Sequence, residues 1–123
     1  MEIGVDCVDI TRFKDDIVSK SRILEKIFTE NEIRYCEDKM NSYQHYAVRF
    51  AGKESVIKAF AGYGIELSLR NIEILNTEQG VPYVNVLDEE IKGYDVKISL
   101  SHTYDIAVAF VIVSKEPVSR GGP

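Results

Sequence analysis

Residues Arg49 to Phe60, RFAGKESVIKAF, read as the heart of a long helix that carries a carboxylate where helical periodicity calls for an apolar side chain. The helix is expected to begin near Ser42, to meet no glycine or proline before Gly52, and to end at Gly62. Tyr43, Ala47, Phe50, Ile57 and Ala61 recur at three- and four-residue intervals, which at ~100° per residue gathers them on one face. Glu54 falls within that stripe, and Lys58 borders it one turn later. A lone charge facing a core is costly, so Glu54 is expected to pair with a cation, bind a metal or border a cleft. The plainest of these readings is an i,i+4 pair with Lys58, worth ~0.3–0.5 kcal/mol and doing nothing else.

Toward the N-terminus, Glu2 to Val8 alternates as a strand does, with Ile3, Val5 and Cys7 on one face and Gly4, Asp6 and Val8 on the other. Asp6 is therefore a second carboxylate among apolar neighbours, unless the strand is an edge with a solvated outer face. Asp9 or Thr11 caps the helix that follows, in which Ile10, Phe13 and Ile17 supply an apolar side. Arg12, Lys14, Lys20, Arg22 and Lys26 make this stretch locally basic. Thr29-Glu30-Asn31-Glu32 has the spacing of a capping box and predicts a short helix through about Asp38.

Beyond Ala61 the pattern changes from helix to strand. Gly62 and Gly64 flank Tyr63 in a turn that can let a ligand approach the backbone. Asn71 to Leu75 and Val81 to Leu87 predict a hairpin, with Pro82 favouring an edge position. Val96–His102 and Ile106–Val113 predict two further strands, joined by Thr103-Tyr104-Asp105. Alternation places His102 on the face of Val96, Ile98 and Leu100, at the strand's end where side chains reach ligands most readily. The expected fold is α+β, an N-terminal strand and helices packed on a mainly antiparallel sheet. One domain is expected over residues 1–117, with 118–123 (VSRGGP) as a loose tail.

Composition narrows the function. With 123 residues, 45 % hydrophobic and 28 % charged, the chain has ordinary globular composition. A formal net charge of −5 with no long Lys/Arg run argues against a nucleic-acid binder. The opening MEIGVDCVDI has no signal-peptide pattern and no apolar run approaches the ~18–20 residues of a membrane span, so a cytoplasmic protein is expected. Cys7 and Cys36 fit neither a redox motif nor a zinc site. With His45 and His102 the only histidines, a metal centre would have to be a hard-cation site built from carboxylates. Asp6 and Glu54 suit magnesium, which takes its other ligands from water and substrate phosphates, while Lys53, Lys58 and His102 can neutralise phosphate oxygens. The chemistry of the residues reaches "magnesium and phosphate" and stops there.

Five blocks carry a more specific resemblance: Gly4-Val5-Asp6 with Asp9; Phe28-Thr29 with Glu32; Arg49-Phe50-Ala51-Gly52-Lys53-Glu54-Ser55 with Lys58-Ala59; Ile72-Glu73-Ile74 with Gly80 and Pro82; and Ser99-Leu100-Ser101-His102 before Ala107-Val108-Ala109. In this order, from Ile3 to about Val113, the chain resembles the small trimeric holo-(acyl-carrier-protein) synthases, a bacterial family of 4′-phosphopantetheinyl transferases. The resemblance implies transfer of the phosphopantetheine arm of coenzyme A to a serine of apo acyl carrier protein, with magnesium as cofactor and adenosine 3′,5′-bisphosphate released. It implies Asp6 and Glu54 as metal ligands, Lys58 facing the pyrophosphate, Arg49 and His102 holding coenzyme A phosphates, and Arg12 docking the acidic carrier, with Arg22 and Lys26 beside it. Lys53 and Gly62 complete the expected coenzyme A contacts, and Glu54, directly or through a water, is expected to take the serine proton. The family's homotrimer, with each site shared between two subunits, would place His102 opposite the subunit that gives Asp6 and Glu54. Gly52 stands where the family commonly has alanine, a helix-weakening difference of ~1 kcal/mol. Gly80-Val81-Pro82 lacks the basic residue often found there. Two rivals stand beside this reading: a magnesium-dependent phosphotransferase of other specificity, and a non-catalytic carrier-binding or oligomer-forming subunit.

Overall fold

The computed structural model describes residues 1–20 and 22–115, so the expected domain end at 117 and the tail 118–123 lie outside the described residues. Strand β1 (Glu2–Asp9) leads into α1 (Ile10–Ser19), α2 (Ile23–Ile27), α3 (Glu30–Glu37) and the long α4 (Ser42–Ala61). Four strands follow: β2 (Ile72–Asn76), β3 (Pro82–Val86), β4 (Tyr94–His102) and β5 (Ile106–Lys115). The α+β arrangement is as expected, but the sheet is divided, with β1-β5-β4 in one antiparallel sheet and β2-β3 in another. The capping box forms as its spacing predicts: Thr29 Oγ1 accepts from Glu32 N, and Glu32 Oε1 accepts from Thr29 N at 2.9 Å. The basic stretch is not one helix, because α1 stops at Ser19 and Arg22, in the left-handed region at φ 60°, starts α2.

The main correction concerns α4. Tyr46, Val48, Ala51, Lys53, Ser55 and Phe60 are all buried, so side chains pointing in nearly every direction from its axis are covered. One cluster, around Phe13, Phe28 and Ala107, packs on its first half, and another, around Val56, Ile74 and Val111, on its second. Of the expected core stripe, Ala47 is fully buried, Tyr43, Phe50 and Ile57 are half-buried against the two clusters, and Ala61 is exposed. That stripe is thus only part of the covered surface of the helix, and burial extends well beyond it. A helix apolar almost all round has no single inward direction for periodicity to find.

Alternation along the main sheet is equally plain. Ala107, Ala109, Val111 and Val113 of β5 face α4, whereas Val108 and Phe110 turn outward beside Val5 and Cys7 of β1. The apolar face of β1 is therefore its exposed face, and Asp6 sits on the helix side. Gly52 does not break α4. A Cβ there would lie 2.5 Å from Ile74 Cδ1 and 3.2 Å from Ile98 Cδ1, the movable ends of two side chains. The ~1 kcal/mol gained in helix propensity by Gly52→Ala is therefore offset by repacking, and urea denaturation should show a net change within about 1 kcal/mol. A loss above about 2 kcal/mol would mean that the two isoleucines cannot yield.

Candidate active site

The site begins at Gly4. A Cβ on this residue would fall on the main-chain carbonyl of Ser55, so β1 lies directly against α4 because residue 4 is glycine. Ser55 fastens the other side of the junction, its Oγ lying 2.8 Å from the Ala51 carbonyl and 3.2 Å from that of Ala109. Two residues along the same face of β1, Asp6 meets the next side chains of the helix. Lys58 Nζ donates to Asp6 Oδ1 and to the Val5 carbonyl, each at 3.0 Å. The lysine side chain is 53 % exposed and the aspartate's 19 %, so the pair sits at the lip of the contact.

Glu54, one turn before Lys58, is half-buried. Burial pushes its pKa above the ordinary carboxylate value, the nearby Asp6 charge pushes it further, and Lys58 pulls it partly back. The structure thus places the two distant acids within each other's electrostatic reach, and Lys58 pairs with Asp6 across elements rather than with Glu54 as the plainest reading has it. Two mutually repelling carboxylates with one ammonium are a place that favours added positive charge. Among the described residues no group of three or more His, Cys, Asp and Glu forms a metal cage. Two carboxylates with open surroundings fit magnesium, which retains waters and substrate oxygens, and the Lys58 ammonium on Asp6 already stands in for a cation there.

Other expected contacts lie elsewhere. Lys53 is fully buried, with Nζ 2.5 Å from Glu32 Oε1 and donating to the carbonyls of Ile72 and Leu69 at 2.5 and 3.0 Å. Its expected role at coenzyme A is therefore corrected to that of an internal strut. Burial lowers its pKa, and Glu32 offsets that only in part. Arg49, 2 % exposed, donates to the Ile74 carbonyl at 3.2 Å, the His45 carbonyl at 3.4 Å and Asn76 Oδ1, and stacks on Tyr35. It too is a strut, because its guanidinium is enclosed by the elements it joins. Gly62 ends α4, exposed and beside the Glu2 side chain.

The sequence reading missed this polar interior. Glu32 Oε2 accepts from Ile74 N at 2.8 Å, and Thr29 Oγ1 donates to Glu73 Oε2 at 2.6 Å, so the capping-box residues also anchor β2. The signal was a capping-box glutamate that is fully buried, which spacing alone does not reveal.

His102 is exposed, its Nδ1 3.2 Å from the Thr103 carbonyl. It pairs with Ala107, which pairs with Val8, so within one chain it stands two strands and two residues away from Asp6. That is roughly 10 Å across the sheet and about 7 Å along it. Arg12, Arg22 and Lys26 are all exposed, on or just before α1 and α2. A groove of about 520 Å³ between α1 and the start of α4, lined by Lys14, Met40, Tyr43 and Tyr104 among others, does not include Asp6, Glu54 or Lys58. Among the described residues no helix is long and apolar enough to cross a membrane.

The profile of the 4′-phosphopantetheinyl transferase superfamily matches residues 2–110. A holo-(acyl-carrier-protein) synthase from Cytophaga hutchinsonii is 42 % identical over 124 residues, covering 92 % of this chain and 96 % of the relative. The holo-(acyl-carrier-protein) synthase of Helicobacter pylori in complex with coenzyme A has TM-score 0.79 at 31 % identity, over 91 % of this chain and 99 % of that one. A Chronobacterium ammoniagenes synthase–coenzyme A complex, at 24 % identity, shares the fold with TM-score 0.84, over 94 % of this chain and 98 % of that one.

Proposed function

The chain belongs to the 4′-phosphopantetheinyl transferase superfamily, and from that premise we propose that Asp6, Glu54 and Lys58 form its magnesium and pyrophosphate site. The chain is an enzyme that transfers the 4′-phosphopantetheine group of coenzyme A to a serine of apo acyl carrier protein, releasing adenosine 3′,5′-bisphosphate. The observation that carries the site assignment is the convergence of Asp6, Glu54 and Lys58 at the β1–α4 contact.

In the reaction, the carrier serine oxygen attacks the phosphorus that bears the pantetheine arm, and the bond from that phosphorus to the bisphosphate breaks. Glu54 takes the serine proton, and burial together with the nearby Asp6 charge makes its carboxylate a stronger base than a solvated one. Lys58, on a flexible exposed stem, neutralises a non-bridging phosphate oxygen. Magnesium held by Asp6 and Glu54, when bound, supplies further positive charge against the diphosphate. Arg12, with Arg22 and Lys26, offers local positive charge on an acidic protein and is the surface that would recruit an acidic carrier. A cytoplasmic setting suits these substrates.

The oligomer belongs to the same proposal. Ile3, Val5, Val108 and Phe110 are 61, 55, 37 and 42 % exposed on the outer face of the main sheet, an apolar patch that a homotrimer would cover. Asp6 and Glu54 are half-buried at the lip of one chain's β1–α4 contact, and His102 of a neighbouring copy would close the site. Two inactive variants, Glu54→Ala and His102→Ala, test this when unfolded together and refolded as mixed trimers. Random assembly should restore about one quarter of the wild-type sites. No recovery above either variant alone would place both residues in the same subunit's site.

A further inference from the structure

We infer that Lys58 competes with the divalent cation for Asp6, and that this competition makes the cation and the diphosphate bind cooperatively; the inference rests on the site proposed above. Its ammonium sits 3.0 Å from both Asp6 Oδ1 and the Val5 carbonyl, a seat made by one strand residue's side chain and the preceding residue's backbone. The same oxygen belongs to one of the two carboxylates available to a cation. A cation approaching Asp6 therefore meets a resident positive charge a few ångströms away, which weakens its binding. A diphosphate changes that balance. Lys58 is more than half exposed and has a four-carbon stem, so it can turn from Asp6 to a phosphate oxygen without disturbing the core. Once it has turned, both carboxylates face the cation, and the phosphate oxygens complete its shell.

The two lysines of α4 divide the work. Lys53 cannot take this part, since its ammonium is enclosed by Glu32 and two carbonyls. Nor does another described cation pair with Asp6 or Glu54. Lys58 is thus a positioning residue before it is a phosphate contact: it holds β1 to α4 while the site is unloaded and yields Asp6 when coenzyme A arrives. The coupling is reciprocal, so coenzyme A must tighten the cation by the same factor as the cation tightens coenzyme A.

The experiment measures manganese binding to the intact protein from the free-ion electron paramagnetic resonance signal, with and without coenzyme A and without carrier, so that no turnover occurs. In Lys58→Met, manganese alone should bind on the order of fivefold or more tightly than in the wild type, as expected for removal of a unit charge a few ångströms away. The tightening produced by coenzyme A should shrink in the same variant, while Lys58→Arg, which keeps the charge, should leave manganese affinity near the wild-type value. Lys58→Gln repeats the test should the methionine variant fold poorly. Unchanged or weaker manganese binding in both neutral variants, with normal binding in the wild type, would overturn the inference and leave the site assignment standing. Failure of the wild type to bind manganese even with coenzyme A would overturn both.

Discussion

Lys53→Met is expected to cost about 3–5 kcal/mol of stability, the typical loss when one member of a buried ion pair is removed and the other is left unpaired. Glu32 would keep its bonds from Thr29 N and Ile74 N at 2.9 and 2.8 Å but lose the ammonium 2.5 Å from Oε1. The carbonyls of Ile72 and Leu69 would lose their donor as well. Against a total stability of about 5–15 kcal/mol for an ordinary domain, this is a large fraction. Urea denaturation should show the transition moving to much lower denaturant. The fraction that remains folded should still bind coenzyme A with unchanged affinity, because the lysine lies inside the protein. A variant of wild-type stability that had lost coenzyme A binding would restore Lys53 to the cofactor site.

Glu54→Gln should behave in the opposite way, with activity falling at least about 100-fold, the usual contribution of a positioned general base, and stability staying level or rising. The sign follows from the raised pKa. Because the folded state holds the Glu54 proton more tightly than the unfolded chain, whose carboxylate keeps its ordinary value of 4.5, folding is favoured by protonation. That contribution is fully present below pH 4.5 and is lost as pH rises from there through the folded-state pKa. Above that window the ionised group is a standing cost that glutamine does not incur. Thermal melts without divalent ions or coenzyme A should therefore show Glu54→Gln equal to or above wild type at neutral pH, with the difference fading toward pH 4. A clear destabilisation at neutral pH would show that Glu54 serves the fold rather than the reaction.

These two variants mark how far residue patterns reach. Lys53 and Lys58 stand five residues apart on one helix, which is about 140° around its axis, so they must point in different directions. Patterning did not say which of them goes inward. On a surface helix the apolar stripe would have decided, but α4 is covered by β1, β5, β2, α1 and α3, and its apolar residues point nearly everywhere. The stripe of Tyr43, Ala47, Phe50, Ile57 and Ala61 consequently marks only part of the covered surface of α4, while Glu54 within it is half-buried near Asp6. Glu32 shows the same limit from the other side, since its spacing from Thr29 announces a capping box and is silent about its burial against Lys53.

By itself the sequence determined the elements whose signals are local: the strand alternation of β1, β4 and β5, the capping box that opens α3, the hairpin of β2 and β3, and the two acids in places that alternation or helical periodicity would give to apolar side chains. The tertiary structure alone decided that Asp6 pairs with Lys58, that Lys53 and Arg49 face inward, and that the Asp6 charge bears on Glu54. The reason is that these contacts join residues far apart along the chain. They depend on which surfaces come to lie together, and here that is governed by Gly4, where the absence of a side chain lets a strand rest on the carbonyl of Ser55.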